Sequence, residues 1–193
     1  MPMLTVGTLT GLATGSLIQV RAAAHNADGW GADSAMNSAG AVLETQPLAV
    51  GALALDGAPA TPTSAKIDWA APTGAAAGGA GVAITGYTVQ RALVGGSFAT
   101  VDSPSLPTHT ATGLAEGTAY KYRVAASNAY GAGPYSAELA VGTACSPGLY
   151  VLSHGDGTSS CETCPVDFTC DGSSAKTACP AGSFAAAGAT ACA

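Results

Sequence analysis

The residues with the most chemistry open to them in this 193-residue chain are six cysteines, Cys145, Cys161, Cys164, Cys170, Cys179 and Cys192. All fall in the C-terminal quarter of the sequence. Cys161-Glu-Thr-Cys164 has the spacing that grips zinc or shuttles electrons. Zinc sites usually add a second close pair or histidines, yet Cys170 and Cys179 are separated by eight residues and His154 stands alone. No βαβ pattern supports a redox fold either. An even count in a short run with few large apolar residues is what a disulfide-stapled fold requires, because such a run cannot bury enough surface to order itself. Structural disulfides are therefore expected, with no metal and no cofactor, in an oxidising compartment.

The other polar candidates assemble into nothing catalytic. His25, His109 and His154 lie far apart in sequence. A general base needs a nucleophile and an orienting carboxylate within reach, and the sequence places none together. Ser153-His154-Gly155-Asp156 has suitable letters, but adjacent side chains in a loop diverge, so it is read as solvated, as is His25. Asp68 and Glu116 are read as ordinary solvated carboxylates. Asp167 and Asp171 flank Cys170 but fall short of the oxygens that a calcium cage gathers. The Gly-rich residues 74–81 follow no strand and open no helix, which makes them a flexible loop and not a phosphate cradle. No catalytic residue is assigned, and the chain is expected not to be an enzyme.

Composition narrows the partners. Charged residues make up 9% of the chain, the net charge is −6, and six Lys and Arg are spread singly, so no basic face is offered to a phosphate backbone. Nucleic acid is not expected to bind. Residues 1–20 are mildly apolar, but they lack a basic n-region and are interrupted by Thr and Gly, which argues against a secretory leader. No run approaches the roughly 20 apolar residues of a spanning helix. The chain is not expected to insert into a membrane, and any anchor would come from the remainder of a full-length product. Asn26, Asn37 and Asn128 all lack the Ser or Thr of an N-glycosylation acceptor.

What positions these residues is a repeat. Residues 10–34 return 102 residues later as 112–136, with 13 of 25 positions identical and no gap. A repeat at the period of one small domain marks an array of modules. Within it, Tyr120, Tyr122, Val124 and Ala126 alternate with Lys121, Arg123 and Ala125, the pattern of a strand with one buried side. The earlier copy gives Ile18, Val20, Ala22 and Ala24 the same face. Each strand follows a Leu-x-x-Gly turn, Leu114 to Gly117 or Leu12 to Gly15, and precedes Asn-x-x-Gly-x-Gly, which suits a hairpin loop. Upstream, Ala65, Ile67 and Trp69 point inward from one strand, and Tyr87 and Val89 from another. Short strands divided by turn chemistry, without helical periodicity, describe a β-sandwich.

The series Trp69-x-x-Pro72, Tyr87-x-Val89 and Leu114-x-x-Gly117-Thr118-x-Tyr120-x-Tyr122-Arg123-Val124-x-Ala126-x-Asn128-x-x-Gly131-x-Gly133-x-x-Ser136 closely resembles fibronectin type III domains. The resemblance implies an all-β, immunoglobulin-like two-sheet sandwich over residues 47–143, with Trp69 in the core and Tyr120 as a corner tyrosine whose hydroxyl returns to nearby backbone. Residues 1–46 resemble the last strands of another copy, with Ile18 where the corner tyrosine would stand. The chain is thus expected to be a fragment. Residues 144–193 form a loop-rich segment resembling ephrin-receptor-like and tumour-necrosis-factor-receptor-like cysteine-rich repeats, also expected to be cut short. The symmetry of the resembling units, Cys145-Ser-Pro-Gly-Leu-Tyr and Cys179-Pro-Ala-Gly-Ser-Phe, favours Cys145–Cys161, Cys179–Cys192 and Cys164–Cys170. The crossed alternative, Cys164–Cys179 with Cys170–Cys192, stays open among the fifteen pairings that six cysteines allow.

The loop from Asn128 through Tyr130 to Tyr135, and Trp30 in the first copy, place large aromatics on loop tips, where such side chains anchor protein contacts or pack on a neighbouring module. The expected function is that of an extracellular or cell-surface modular protein, routed through the secretory pathway. It would space and present surfaces for other proteins in adhesion or in matrix and cell-surface structure. An ectodomain fragment of a membrane receptor or surface signalling protein, and the spacer region of a larger secreted enzyme, are the alternatives.

Overall fold

The computed structural model of the chain describes residues 11–56 and 60–193, so the first ten residues of the apolar run discussed above lie outside it. In the first segment, β1 (Leu17–Ile18), β2 (His25–Asn26), β3 (Gly29–Trp30) and β4 (Ala41–Val42) form two small antiparallel pairs, β1 with β4 and β2 with β3. The central unit holds two sheets. One is built from β5 (Ala54–Leu55), β6 (Ser64–Asp68) and β9 (Thr108–Thr112), in the order β5-β6-β9. The other sets β8 (Ala99–Asp102) beside β7 (Gly86–Leu93) and β7 beside β10 (Ala119–Asn128), while β11 (Gly131–Ala132) and β12 (Leu139–Gly142) share the far edge of β10.

These sheets face each other over a core of Ile67, Trp69, Tyr87, Val89, Leu114, Tyr122, Val124, Ala126 and Val141. In a chain rich in Ala and Gly, a few aromatic and branched residues must supply most of the buried area, each contributing about 1.5–3 kcal/mol when fully buried. Trp69 and Tyr87 meet edge to face, with ring centroids 5.2 Å apart. The Tyr120 hydroxyl accepts the Ala115 N–H at 2.9 Å, tying the turn before β10 to the strand itself.

The repeat is legible bond by bond. In the second copy, the Gly133 N–H donates to Ala126 O, the Ser136 N–H to Val124 O, and the Val124 N–H to Ser136 Oγ. In the first copy, Gly31 donates to Ala24 O, Ser34 to Ala22 O, and Ala22 to Ser34 Oγ. The loop Asn repeats as well, since the Tyr130 N–H donates to Asn128 Oδ1 and the Asp28 N–H to Asn26 Oδ1. The copies part at the next strand. Ile18 opposes Ala41, whereas Tyr120 opposes Val141, an offset that by the repeat would set Ile18 against Ala39. The Gln19 amide donates to Asn37 O beside this pair.

Burial separates the copies more sharply. Leu114 and Tyr122 are 4% and 0% exposed, while their counterparts Leu12 and Val20 are 42% and 41% exposed. Among the described residues, nothing faces the first copy's apolar side as β6 and β9 face that of the second.

The C-terminal segment is pinned by three bridges, Cys145–Cys161, Cys164–Cys170 and Cys179–Cys192, each with Cα atoms 5.7 Å apart. Two hairpins, β13 (Leu149–Ser153) with β14 (Ser159–Thr163) and β15 (Phe168–Thr169) with β16 (Thr177–Ala178), are its only regular elements among the described residues. Both Cys-x-x-Gly starts make the same turn. Leu149 N–H returns to Ser146 O and Ser183 N–H to Pro180 O, with Gly148 and Gly182 at φ 89° and 90°, the left-handed third position of a type II turn.

Two outcomes follow from this division of cores. Reduction should melt residues 145–193, since each bridge typically contributes about 2–4 kcal/mol, while amide protection in β7 and β10 persists; simultaneous loss of both would contradict the separation. Tyr120→Phe should lower the unfolding free energy of the sandwich by about 1 kcal/mol in urea melts, the usual net value of one hydrogen bond.

Candidate contact surfaces and interunit joints

Strand β10 and its flanks carry the groups that meet neighbouring units. At its C-terminal end Asn128 is buried at 6% exposure. Its Nδ2 donates to Thr45 O at 2.7 Å and to Ala77 O at 2.8 Å, bridging the incoming linker and the 3-10 turn of residues 74–77. The linker adds backbone bonds, Thr45 N–H to Gly78 O and Leu48 N–H to Ala76 O. Gly133 lies so close to Pro47 O that a Cβ there would collide with the carbonyl, and Pro47 is fully buried. Asn128 therefore holds the loop and linker together from inside rather than offering an outer contact.

The aromatics expected at loop tips have partners within the chain. Tyr130, half exposed, donates its hydroxyl to Glu44 Oε2, and that carboxylate raises the phenol above its ordinary pKa. Tyr135 stacks on Arg123, whose guanidinium carbon sits 4.3 Å from the Tyr135 ring centroid and 4.1 Å from that of Phe98. Arg123 also donates through Nε and Nη2 to Gln90 Oε1. Trp30 is different. It is 74% exposed and touches only the His25 ring among aromatics, at 4.7 Å.

The turn before β10 receives the cysteine-rich segment. Glu116, read from sequence as a solvated carboxylate, instead accepts the Ser146 N–H at 3.0 Å and the Ser146 hydroxyl at 2.8 Å. Ser159 Oγ donates to Gly117 O. Gly117 has φ 56° and packs against the Cys145–Cys161 bridge so closely that a Cβ would strike Cys161 Sγ. Only glycine meets both demands, the left-handed backbone and the clearance for sulfur.

Sequence reasoning also missed a hydrogen-bonded clasp between the sheets. His109, on β9, is 8% exposed, and its Nδ1 lies 2.7 Å from Asp102 Oδ2 at the end of β8. The sequence brought no carboxylate to this histidine because the pair belongs to facing sheets. The His109 hydrogen bond, ahead of the Ser103 N–H, holds the Asp102 carboxyl below its usual range against a smaller opposing effect of burial. Arg91, Thr110 and Thr112 line the adjoining open cleft of about 370 Å3. No hydroxyl or thiol stands within hydrogen-bond reach of His109 as a nucleophile among the described residues.

The cysteine pair with metal-like spacing is divided, Cys161 bonding to Cys145 and Cys164 to Cys170. No group of three or more His, Cys, Asp or Glu is gathered for a metal among the described residues. His154 Nε2 meets Ser160 Oγ at 3.1 Å on the exposed β13–β14 hairpin, while Asp156 accepts from Thr158. No helix among the described residues is long and apolar enough to cross a membrane.

Residues 53–141 match the family model of the fibronectin type III domain. A search of curated proteins returns no match to the chain. Among solved structures, the chain is similar to a run of titin domains at 19% identity, with 56% of this chain and 36% of that one covered and a TM-score of 0.45. It thus spans about a third of the length of that titin structure. A human fourth fibronectin type III domain gives 24% identity, coverage of 52% and 81%, and a TM-score of 0.45. The chicken CNTN1 FN1–FN3 domains give 19% identity, coverage of 69% and 44%, and a TM-score of 0.42.

The clasp has a pH signature. Because the folded carboxyl of Asp102 is depressed, its contribution is present above the unfolded value of about 3.9 and is lost as pH falls through the folded value. Asp102→Asn should therefore melt below the parent at neutral pH, and the two melting temperatures should converge in acid. A gap that widens in acid would contradict the pairing.

Proposed function

We propose that this chain is part of a non-catalytic extracellular or cell-surface protein. In it the fibronectin type III domain of residues 53–141 serves as a stiff spacer, fixing the orientation of the units on either side and presenting contact surfaces to other proteins. A role in adhesion, or in matrix or cell-surface structure, fits such a part. The observation that carries this reading is that both joints of the domain are packed. Asn128, Gly133 and the buried Pro47 close the joint on the N-terminal side, and Glu116, Gly117 and the Cys145–Cys161 bridge close the other. A flexible tether needs none of these contacts, because Gly- and Ser-rich chain spans the same distance without them.

The three bridges support an oxidising compartment, and the family match supports a spacing and binding role over catalysis. Contacts with partner proteins would come from loops and strand edges, of which Trp30 is the most exposed aromatic.

Small-angle scattering of the intact chain tests the spacer role. A single narrow distribution of dimensions is expected for the parent. Gly117→Val, which forces a side chain against the bridge, combined with Asn128→Ala, which removes the amide from Thr45 O, should broaden it. A parent chain already as broad as the double variant would overturn the stiff-spacer reading.

A further inference from the structure

On the flank of the sandwich where β8 and β9 are the outermost strands of their sheets, the gap between the layers opens into the cleft of about 370 Å3. Its lining comes entirely from residues 91–112, inside one domain, and includes Arg91, Asp102, His109, Thr110 and Thr112.

Arg91 is the unusual member. It stands directly opposite Tyr122 in the β7–β10 ladder, and paired residues share a face, so its side chain leaves the sheet on the core side. A charge on an inner face needs a partner. Arg91 is half-buried, with its guanidinium carbon 5.2 Å from the centroid of the Tyr120 ring, and among the described residues it forms no ion pair with a carboxylate. Asp102 shares the cleft, but its Oδ2 is taken by His109 and its Oδ1 accepts the Ser103 N–H. The Tyr122 hydroxyl is fully buried and has no hydrogen-bond partner among the described residues. Burial raises the pKa of that phenol and the adjacent Arg91 lowers it, so the two groups sit side by side. Both can donate. A carboxylate answers both, because it accepts paired N–H bonds from a guanidinium and keeps capacity for an O–H.

We propose that the cleft receives an acidic side chain, Asp or Glu, from an extended segment of a partner protein that adds to the free edge of β8. The strand offers the means. It is bonded only to β7 among the described strands, all of its residues are exposed, and its outer row of N–H and C=O groups is open to pairing. A strand laid along it directs every second side chain between the sheets, towards Arg91. A free small anion would use Arg91 and leave that row idle. The proposal rests on the contact-presenting part of the proposed function; scattering reports stiffness and a peptide titration reports binding, so the two readings can fail separately.

The probe is a capped pentapeptide, Thr-Val-Glu-Val-Thr, titrated at millimolar concentration into the intact 15N-labelled chain, with Thr-Val-Gln-Val-Thr and sodium propionate as counterparts. Saturable shifts are expected at the Arg91 Nε–H and at the backbone amides of Val101 and Asp102. The glutamate peptide should bind about tenfold more tightly than the glutamine one, the scale of a charge-assisted hydrogen bond. Propionate should move the Arg91 Nε–H alone, and more weakly. Tyr122→Phe should weaken the glutamate peptide about fivefold without lowering the melting temperature, because the hydroxyl it removes had no partner. Arg91→Gln should erase the preference for glutamate. Lys121→Gln, which removes a cation paired with Glu138 on the other face of β10, should change nothing. No shifts in the parent, equal affinity for the two peptides, an affinity untouched by Tyr122→Phe, or a preference that survives Arg91→Gln or is lost with Lys121→Gln would each overturn the proposal. Propionate binding as tightly as the glutamate peptide would assign the cleft to a small anion and overturn it as well.

Discussion

Strand β10 is the constraint on which the remaining structure depends. Its inward residues Tyr122, Val124 and Ala126 are fully buried against β6 and β9, and it is bonded along both edges, to β7 on one side and to β11 and β12 on the other. Chain ends and loops can fray, but a strand paired on both edges and packed on one face opens only with the whole unit. Both joints are then mounted on its ends. The turn before Ala119 carries Glu116 and Gly117, and its last residue is Asn128. The same packing that stabilises the sandwich also fixes where the neighbouring segments leave it.

The joints are packed by different contacts. On the N-terminal side, an amide and a row of backbone bonds hold the linker, with glycines cut away so that its carbonyls sit close. On the C-terminal side, a disulfide lies against a glycine in a left-handed conformation and a carboxylate caps the first turn after Cys145. The first is reversible in water. In the second, the disulfide holds the surface against which Gly117 packs, while the joint itself is closed by hydrogen bonds from Ser146 to Glu116 and from Ser159 to Gly117 O.

Much of this was legible in the residues because strand alternation and turn chemistry are local. Ala65, Ile67 and Trp69, Tyr87 and Val89, and Tyr120 through Ala126 face inward as their period of two requires. The corner hydroxyl of Tyr120 lies five residues from its partner, so it too is nearly a local feature. Strands β8 and β9 gave weaker signals, since Ala99–Asp102 is exposed throughout and Thr108–Thr112 alternates Thr with His and Ala, without apolar contrast. Nor could spacing separate Glu116 from any surface carboxylate, because its partner Ser146 lies 30 residues away.

By itself, the sequence determined the repeat, the inward face of each strong strand, the turns that need glycine and the confinement of every cysteine to the tail, since each of these is a property of neighbours along the chain. Only the tertiary structure decided what meets across the fold. It brought Asp102 to His109 between sheets, turned Asn128 from a loop tip into a buried bridge, chose Cys164–Cys170 and Cys179–Cys192 over the crossed alternative, and joined Glu116 to Ser146. Those outcomes depend on how strands and turns are placed against one another, whether the partners are seven residues apart, as Asp102 and His109, or 83, as Asn128 and Thr45, and no local pattern encodes that placement.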